Sequence, residues 1–336
     1  MVKRGLVVRG RPWLTHPWVP LLALLLLALL PLLGCARVES DSVPPAGEGR
    51  FRVATWNIRF FPQPSTDVER TGEVLADLDA DLIAVQEIAD ADALAGLLEQ
   101  VNARLARQAI ESGLGSPRHY RFVLAESGGH GGQFVGYIYD EKTVQLSGVK
   151  TLTSLQMTPD LRPGLFARVT SLRGGLDFQI IVMHTDSGTR DRDYQNRLRF
   201  LDSLDVELVG RRALDADVIV LGDLNTMGRL AGDGLPRVRW DEEIANLDRR
   251  AGEMGLSRLS NSPACTEYYR GRGSFLDHIL VSTTMTEAPS EAVARVFGYC
   301  AEVDCQPVDS DNMPYDYVHV SDHCPVVIDL IDADRD

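Results

Sequence analysis

The chain has 336 residues and is acidic, with 34 Lys and Arg against 48 Asp and Glu and a net charge of −14. A field of that sign repels nucleic acid and anionic lipid at long range, which counts against a broad basic binding surface. It admits a polyanionic substrate where a divalent cation inverts the charge of a carboxylate-lined cleft.

The first segment reads as an address rather than as part of a fold. Lys3, Arg4, Arg9 and Arg11 form a positive region, and Val19 to Leu33 is a nearly unbroken run of leucine, alanine and proline. The run is short for a membrane span and closes on Leu32-Leu33-Gly34-Cys35, which is export-signal anatomy. Leu-Leu-Gly-Cys resembles the bacterial lipobox, which makes residues 1–34 a signal peptide and Cys35 a lipidated amino terminus. Acyl chains there would hold the protein on a membrane, each buried methylene adding ~0.8 kcal/mol. Ala36 fits sorting to an outer membrane, so the expected location is outside the cytoplasm, at the outer membrane or cell surface. Without the four basic residues that precede Cys35, 30 basic face 48 acidic residues and the charge deepens to about −18. Residues 35–50, with Pro44, Pro45, Gly47 and Gly49, read as a tether, and a single domain is expected over 51–336.

Within that domain, Phe51–Asn57 alternates as a strand and ends on an amide. Asp67–Leu78 is a helix candidate. Asp81–Glu87 follows as a buried strand ending on a carboxylate, and Ala91–Ile110 carries leucines at helical spacing. Short strands fill the middle at 120–125, 134–139, 144–152 and 165–172. The glycine cluster at 128–132 lacks the strand-then-helix setting of a phosphate loop and reads as a hairpin connection, with His130 exposed. Asp177–Met183 is a strand leading to His184, and Tyr194–Leu208 a helix with leucines on one stripe. After Asp217, the four residues Val218–Leu221 are apolar and three of them β-branched, a strand buried on both faces that stops at Gly222-Asp223-Leu224-Asn225. In an extended chain Asp223 and Asn225 would point the same way. A helix around 242–254, a strand at 275–281 and a last strand at 325–331, introduced by Ser321-Asp322-His323, complete the pattern. Two packed sheets with outer helices, an α/β sandwich, account for this order.

Four cysteines remain beyond Cys35: Cys265, Cys300, Cys305 and Cys324. In an exported chain an even remainder favours disulfides, with three pairings possible. Their short separation favours Cys300 with Cys305, leaving Cys265 with Cys324, or Cys324 as a buried thiol. The spacing matches no zinc pattern.

Each polar strand end has a dull explanation, but buried carboxylates must be paired or bind metal, and here several recur in order. Thr55-Trp56-Asn57-Ile58-Arg59, Gln86-Glu87, His184, Gly222-Asp223-Leu224-Asn225, Leu276-Asp277-His278 and Ser321-Asp322-His323 together resemble the endonuclease/exonuclease/phosphatase superfamily, whose DNase I-like fold is a four-layer α/β sandwich of two mixed sheets flanked by helices. The resemblance implies magnesium or manganese held by Asn57, Glu87 and Asp322, oxygen donors suited to a hard cation. It implies catalytic roles for His184, Asp223, Asn225, Asp277 and His323. Asp277 would orient His323, which acts as general base or as a charged phosphate ligand. Asp223 and Asn225 would position the water, and His184 would stand on the phosphate or leaving-group side.

The opening Asn57-Ile58-Arg59 followed by an aromatic, and Arg162-Pro163, resemble the DNase I branch. Arg59, Tyr137 and Arg162 are then expected at substrate phosphates; Arg270 and Arg272 fit either that role or a solvated surface. A phosphodiesterase acting on DNA or RNA is the first expectation, with nucleic acid as the partner and a monomeric chain. A phospholipid or sugar-phosphate esterase is the second, and an anchored binding module without catalysis the third.

Overall fold

The computed structural model describes residues 49–335, apart from 114, 213, 214, 290 and 291. Cys35, the leader and most of the tether lie outside the described residues. Among the described residues no helix is long and apolar enough to cross a membrane.

In chain order, β1 (Arg50–Phe61), α1 (Val68–Asp77), β2 (Leu82–Ile88) and α2 (Ala91–Ser112) open the fold. A run of strands follows: β3 (Tyr120–Leu124), β4 (Phe134–Asp140), β5 (Val144–Leu152), β6 (Gly164–Ser171) and β7 (Asp177–His184). Next come α3 (Asp191–Arg212), β8 (Val218–Asp223) and α4 (Trp240–Glu253). Short strands β9 (Leu256–Arg258), β10 (Ser260–Ser262), β11 (Glu267–Tyr269) and β12 (Arg272–Ser274) precede β13 (Asp277–Ser282). The chain closes with β14 (Val293–Val296), α5 (Tyr299–Glu302), α6 (Tyr315–His319) and β15 (Val326–Ile331).

The strands form a seven-stranded sheet, β10-β14-β15-β1-β2-β4-β3, and a six-stranded sheet, β5-β6-β7-β8-β13-β9, with β11-β12 as a separate hairpin. Three apolar clusters stack them. Phe51, Val53, Val182, Leu221 and Ile279 lie in the core between the sheets. Trp56 and Ile83 pack outward under Leu75 of α1 and Leu97 and Val101 of α2. Val218 and Val220 do the same under Leu204 of α3 and Leu247 of α4. The expected α/β sandwich of two mixed sheets between helix layers is therefore the observed architecture.

Local chemistry sets the helix limits. The Asp67 carboxylate accepts from Arg70 N at 2.9 Å and starts α1, and Asp90 accepts from Asp92 N and Ala93 N to start α2. Leu94, Leu97, Leu98 and Val101 then fall on one buried face. The segment 128–132 is a connection between β3 and β4, and His130 is exposed beside Asp160.

Two expectations are corrected here. Tyr137 is not a phosphate ligand: it is wholly buried between the sheets, its hydroxyl donating to Leu165 O at 2.6 Å and accepting from Val182 N at 2.9 Å. A tyrosine within an apolar strand reads the same whether its ring faces solvent or core. The disulfides are Cys265–Cys305 and Cys300–Cys324, not Cys300–Cys305. Cys300 and Cys305 are near in sequence, but α5 separates their directions. One half-cystine reaches back to β11 and the other across to the start of β15.

Candidate active site

Strand parity builds the site. Side chains two apart on a strand share a face, so the row Phe51, Val53, Thr55 continues to Asn57, and Phe178, Ile180, Val182 continues to His184. Ile219 and Leu221 continue to Asp223, and Ile279 and Val281 lead back to Asp277 at the start of its strand. Each inward row is apolar through the core and turns polar at one end. Because β13 runs antiparallel to β8, Asp277 is directly opposite Asp223, and His184 of the parallel β7 is opposite its other edge. The antiparallel pairing of β15 with β1 sets Val326 against Thr55, which brings the preceding Asp322 and His323 to the same mouth. Gly222 permits the close pairing: at φ 136, a Cβ there would meet Met183 O at 2.0 Å.

Glu87 reaches the site by breaking parity. In step with Ile83 and Val85 it would face the helices, but its φ of 61 and the register breaks on both sides of β2 turn it inward. Its Oε1 accepts from Asn57 Nδ2 at 3.3 Å and its Oε2 from Phe60 N at 3.0 Å. Asn57 Nδ2 also donates to Asp223 Oδ2 at 3.1 Å. His184 Nε2 lies 3.2 Å from Asp223 Oδ2 and 3.7 Å from Glu87 Oε1. His323 Nδ1 lies 2.8 Å from Asp277 Oδ2, and its Nε2 is 3.8 Å from Asp223 Oδ2. Two imidazoles thus flank one carboxylate.

The charges follow from burial and these contacts. Burial alone would raise Asp223, but the charge and hydrogen bond of His184, with His323 behind them, hold its carboxyl well below the usual range. Burial opposes a charge on His323. The Asp277 carboxylate and hydrogen bond, then Asp223 and Asp322, outweigh it and hold the imidazole well above its ordinary value. Asp277 is itself raised by burial and by Asp223 despite His323, so the pair holds one proton firmly between Nδ1 and the carboxylate. Burial also raises Asp322, partly offset by His323 and Arg59 and reinforced by Glu87.

The remaining expected residues divide. Arg59 Nε pairs with Asp322 Oδ2 at 3.2 Å at the rim. Arg162 is buried, donating from Nη2 to Thr185 O at 3.3 Å, with its Nε unpartnered and the charges of Glu87 and Asp223 acting on it. Asn225 is at the mouth, but not by strand alternation: its φ is 48, its N–H donates to Asp223 Oδ1 at 3.0 Å, and its Nδ2 donates to Thr185 O. The turn, rather than an extended chain, joins it to Asp223. Arg270 lies over the Tyr269 ring on the exposed hairpin.

Several supporting residues have no role among the sequence expectations. Thr266 Oγ1 accepts from Leu276 N and Asp277 N and fixes the start of β13. Ser321 Oγ donates to Asn57 O at 2.7 Å and accepts from His323 N at 3.1 Å, tying β1 to the histidine segment. Glu267 bridges His323 through the backbone, and burial pushes its carboxyl up to about 7. His278, next to Asp277, faces the other way: its Nε2 lies 2.9 Å from Thr226 Oγ1, and burial lowers it to about 3.

His278 therefore stays neutral in the fold while an unfolded chain would protonate it near its ordinary 6.5. Its contribution is complete above about pH 6.5 and is lost as pH falls, with roughly 2 kcal/mol gone by pH 5. Urea unfolding at pH 8 and pH 5 should show this loss, and His278→Asn should flatten it.

Glu87, Asp322 and Asn57 Oδ1 are oxygen donors only, and the charge of Glu87 opposes that of Asp322. That donor set fits a hard divalent cation such as magnesium or manganese. Asp223, Asp277 and His323 also bring ligand atoms within 4.8 Å of one another. A cation there would have to displace the proton between His323 and Asp277, so the first set fits better.

The family profile described as Endonuclease/Exonuclease/phosphatase family matches residues 54–323. No curated protein matches the chain. Among solved structures, truncated Caenorhabditis elegans TDP2 is similar with a TM-score of 0.52 and 13% identity, over 84% of this chain and 98% of that one. An endonuclease/exonuclease/phosphatase from Bacteroides vulgatus gives 0.51 and 14%, over 84% and 98%. A Bacteroides thetaiotaomicron mannosyl-6-phosphatase gives 0.50 and 14%, over 84% and 99%. At such identities these three share the fold. With the profile spanning every residue of the site from Asn57 to His323, the chain belongs to the endonuclease/exonuclease/phosphatase family.

Proposed function

We propose that the protein is a metal-dependent phosphodiesterase that cuts DNA or RNA internally. The observation that carries this reading is Asp223 held ionised between His184 and His323, facing the mouth where Glu87 and Asp322 meet. A magnesium or manganese ion held by Glu87, Asp322 and Asn57 would neutralise phosphate oxygens that otherwise repel a nucleophile. Asp223, with Asn225 at its side, orients the attacking water and takes its proton. His323, kept charged by Asp277, donates a hydrogen bond from Nε2 to a phosphate oxygen; its raised pKa favours this role over that of general base. His184 stands on the opposite side of Asp223, toward the leaving group.

Nucleic acid is favoured among phosphodiesters by the rim. Phe60, next to Arg59, is 50% exposed, and Tyr269, beside Arg270, is 60% exposed. Aromatic faces interleaved with arginines suit bases and phosphates in turn. Under this reading Cys35 anchors the enzyme outside the cytoplasm, which is supported by the leader and by two disulfides that need an oxidising compartment.

The test is to incubate the full-length protein in detergent with magnesium or manganese and plasmid, RNA, sphingomyelin or inositol phosphates. An Asp223→Ala, His323→Ala double variant and a chelator serve as controls. Plasmid or RNA cut internally by the wild type only, and only with metal, is expected. Hydrolysis confined to the lipid or inositol ester would replace the substrate, and no hydrolysis of any would leave a binding module.

A further inference from the structure

Two of the loops at the site are anchored from behind by a pair of charges that has no part in the chemistry above. Arg197 lies in the second turn of α3 and Glu243 in the first turn of α4, and each is 4% exposed. They meet in two parallel bonds, Arg197 Nε 2.7 Å from Glu243 Oε1 and Nη2 3.1 Å from Oε2. The rest of the guanidinium reaches the loops. Its Nη1 donates to Asp186 O at 3.1 Å and to Gly188 O at 2.8 Å, and its Nη2 to Gly228 O at 2.8 Å. Glu243 Oε2 accepts from Gly228 N at 2.6 Å. Asp186 and Gly188 follow His184 at the end of β7, and Gly228 follows Asn225 beyond β8. The pair therefore grips the chain just past two strands that carry the site, and it fixes Gly228 by both its N–H and its C=O.

Stability does not account for this arrangement. Taking two charges out of water largely offsets their attraction, and an apolar pair of similar volume often holds its surroundings as well. An apolar pair cannot bond to four backbone groups of the loops, as this one does. The loops are also joined to each other and to the site: Thr185 N donates to Asp223 O at 2.9 Å, and Asn225 Nδ2 to Thr185 O at 3.3 Å. A shift of either loop on the helices would reach Asp223 and Asn225, and a misplacement of about 1 Å costs on the order of 10²-fold in rate.

We propose that Arg197 and Glu243 are positioning residues: their ion pair sets the two loops against α3 and α4 so that His184, Asp223 and Asn225 keep their spacing. The inference rests on the reading of those three as reacting groups, and it gives the pair no contact with substrate.

The experiment replaces both partners, Arg197→Met together with Glu243→Leu, in the full-length protein, because either change alone strands a buried charge. The double variant should melt close to the wild type. On whichever phosphate ester the wild type hydrolyses, it should lose roughly 10- to 100-fold in kcat with KM little changed, read well below the melting temperature. Amide hydrogen exchange at Thr185 and Asn225 should be several-fold faster, a loosening that loss of a bond between the helices alone would not produce. Arg197→Lys keeps the charge but cannot span a carboxylate and three carbonyls. It should show the same fall in kcat, and it stands in for the double variant if that does not fold. Wild-type kcat in a folded variant, or unchanged exchange at Thr185 and Asn225, would overturn the positioning role and leave the phosphodiesterase standing. No phosphate-ester hydrolysis by the wild type would overturn the phosphodiesterase, and exchange alone would then decide whether the pair holds the loops.

Discussion

His323→Ala is expected to lower turnover on nucleic acid by about 10²- to 10⁴-fold, the range for losing a positioned acid–base or charged group at the reacting centre. The imidazole is the donor that Asp277 and Asp223 together keep charged. Asp277→Asn should cost less, because Asp277 acts through His323, and its signature is a shift in the pH profile rather than a simple loss. The sign follows from the geometry: His323 is active when protonated, so activity falls as pH rises through its raised value. Without the Asp277 charge that value drops, and the alkaline limb should move to lower pH. Rate–pH profiles of the wild type and Asp277→Asn, with folding checked by circular dichroism, decide it. An alkaline limb in the same place would mean that Asp277 does not hold the proton on His323.

Breaking either disulfide should destabilise the fold by ~3–4 kcal/mol, the chain-entropy cost of loops of the observed sequence separations, 40 and 24 residues. For a domain of this size that corresponds to a fall in melting temperature of roughly 5–7 °C. The Cys300→Ala, Cys324→Ala pair should also lose activity at temperatures where it is still folded. Cys324 follows His323 in the chain, and Cys300 N donates to Cys324 Sγ at 3.3 Å, so this bond holds the histidine segment to α5. The Cys265→Ala, Cys305→Ala pair releases the start of the β11–β12 hairpin instead, and should lose stability more than turnover. Thermal melts and rates with and without reductant test both statements; a melt indifferent to reductant would contradict them.

The fold was legible because its strands are long enough to show their period. The buried run Val218–Leu221 and the alternation of Phe51–Asn57 each fixed a strand and its inward face, and the leucines of α2 fixed a helix. The polar ends of those runs point to Asn57, Glu87, His184 and Asp223 for the same reason, and alternation past Asp223 adds Asn225. Asp277 rests on the family motif, and the actual placement of Glu87 and Asn225 depends on left-handed residues that no periodicity reveals. Tyr137 was misread because a ring two residues along a core row looks like any strand tyrosine. The three-residue strands between 256 and 274 carry too few side chains for a pattern to emerge. The cystine partners were hidden because pairing depends on where β11, α5 and β15 meet in space.

Arg59, Phe60, Glu87 and Asn225 all hold positive φ angles at one mouth, although none is glycine. Each such residue costs on the order of 1–3 kcal/mol, and the surrounding sheets must absorb it. Glycine at any of them would relax the backbone and remove the group it presents. Laboratory selection for heat tolerance alone would therefore drift toward glycine at these positions, enriching hardy proteins that have stopped working.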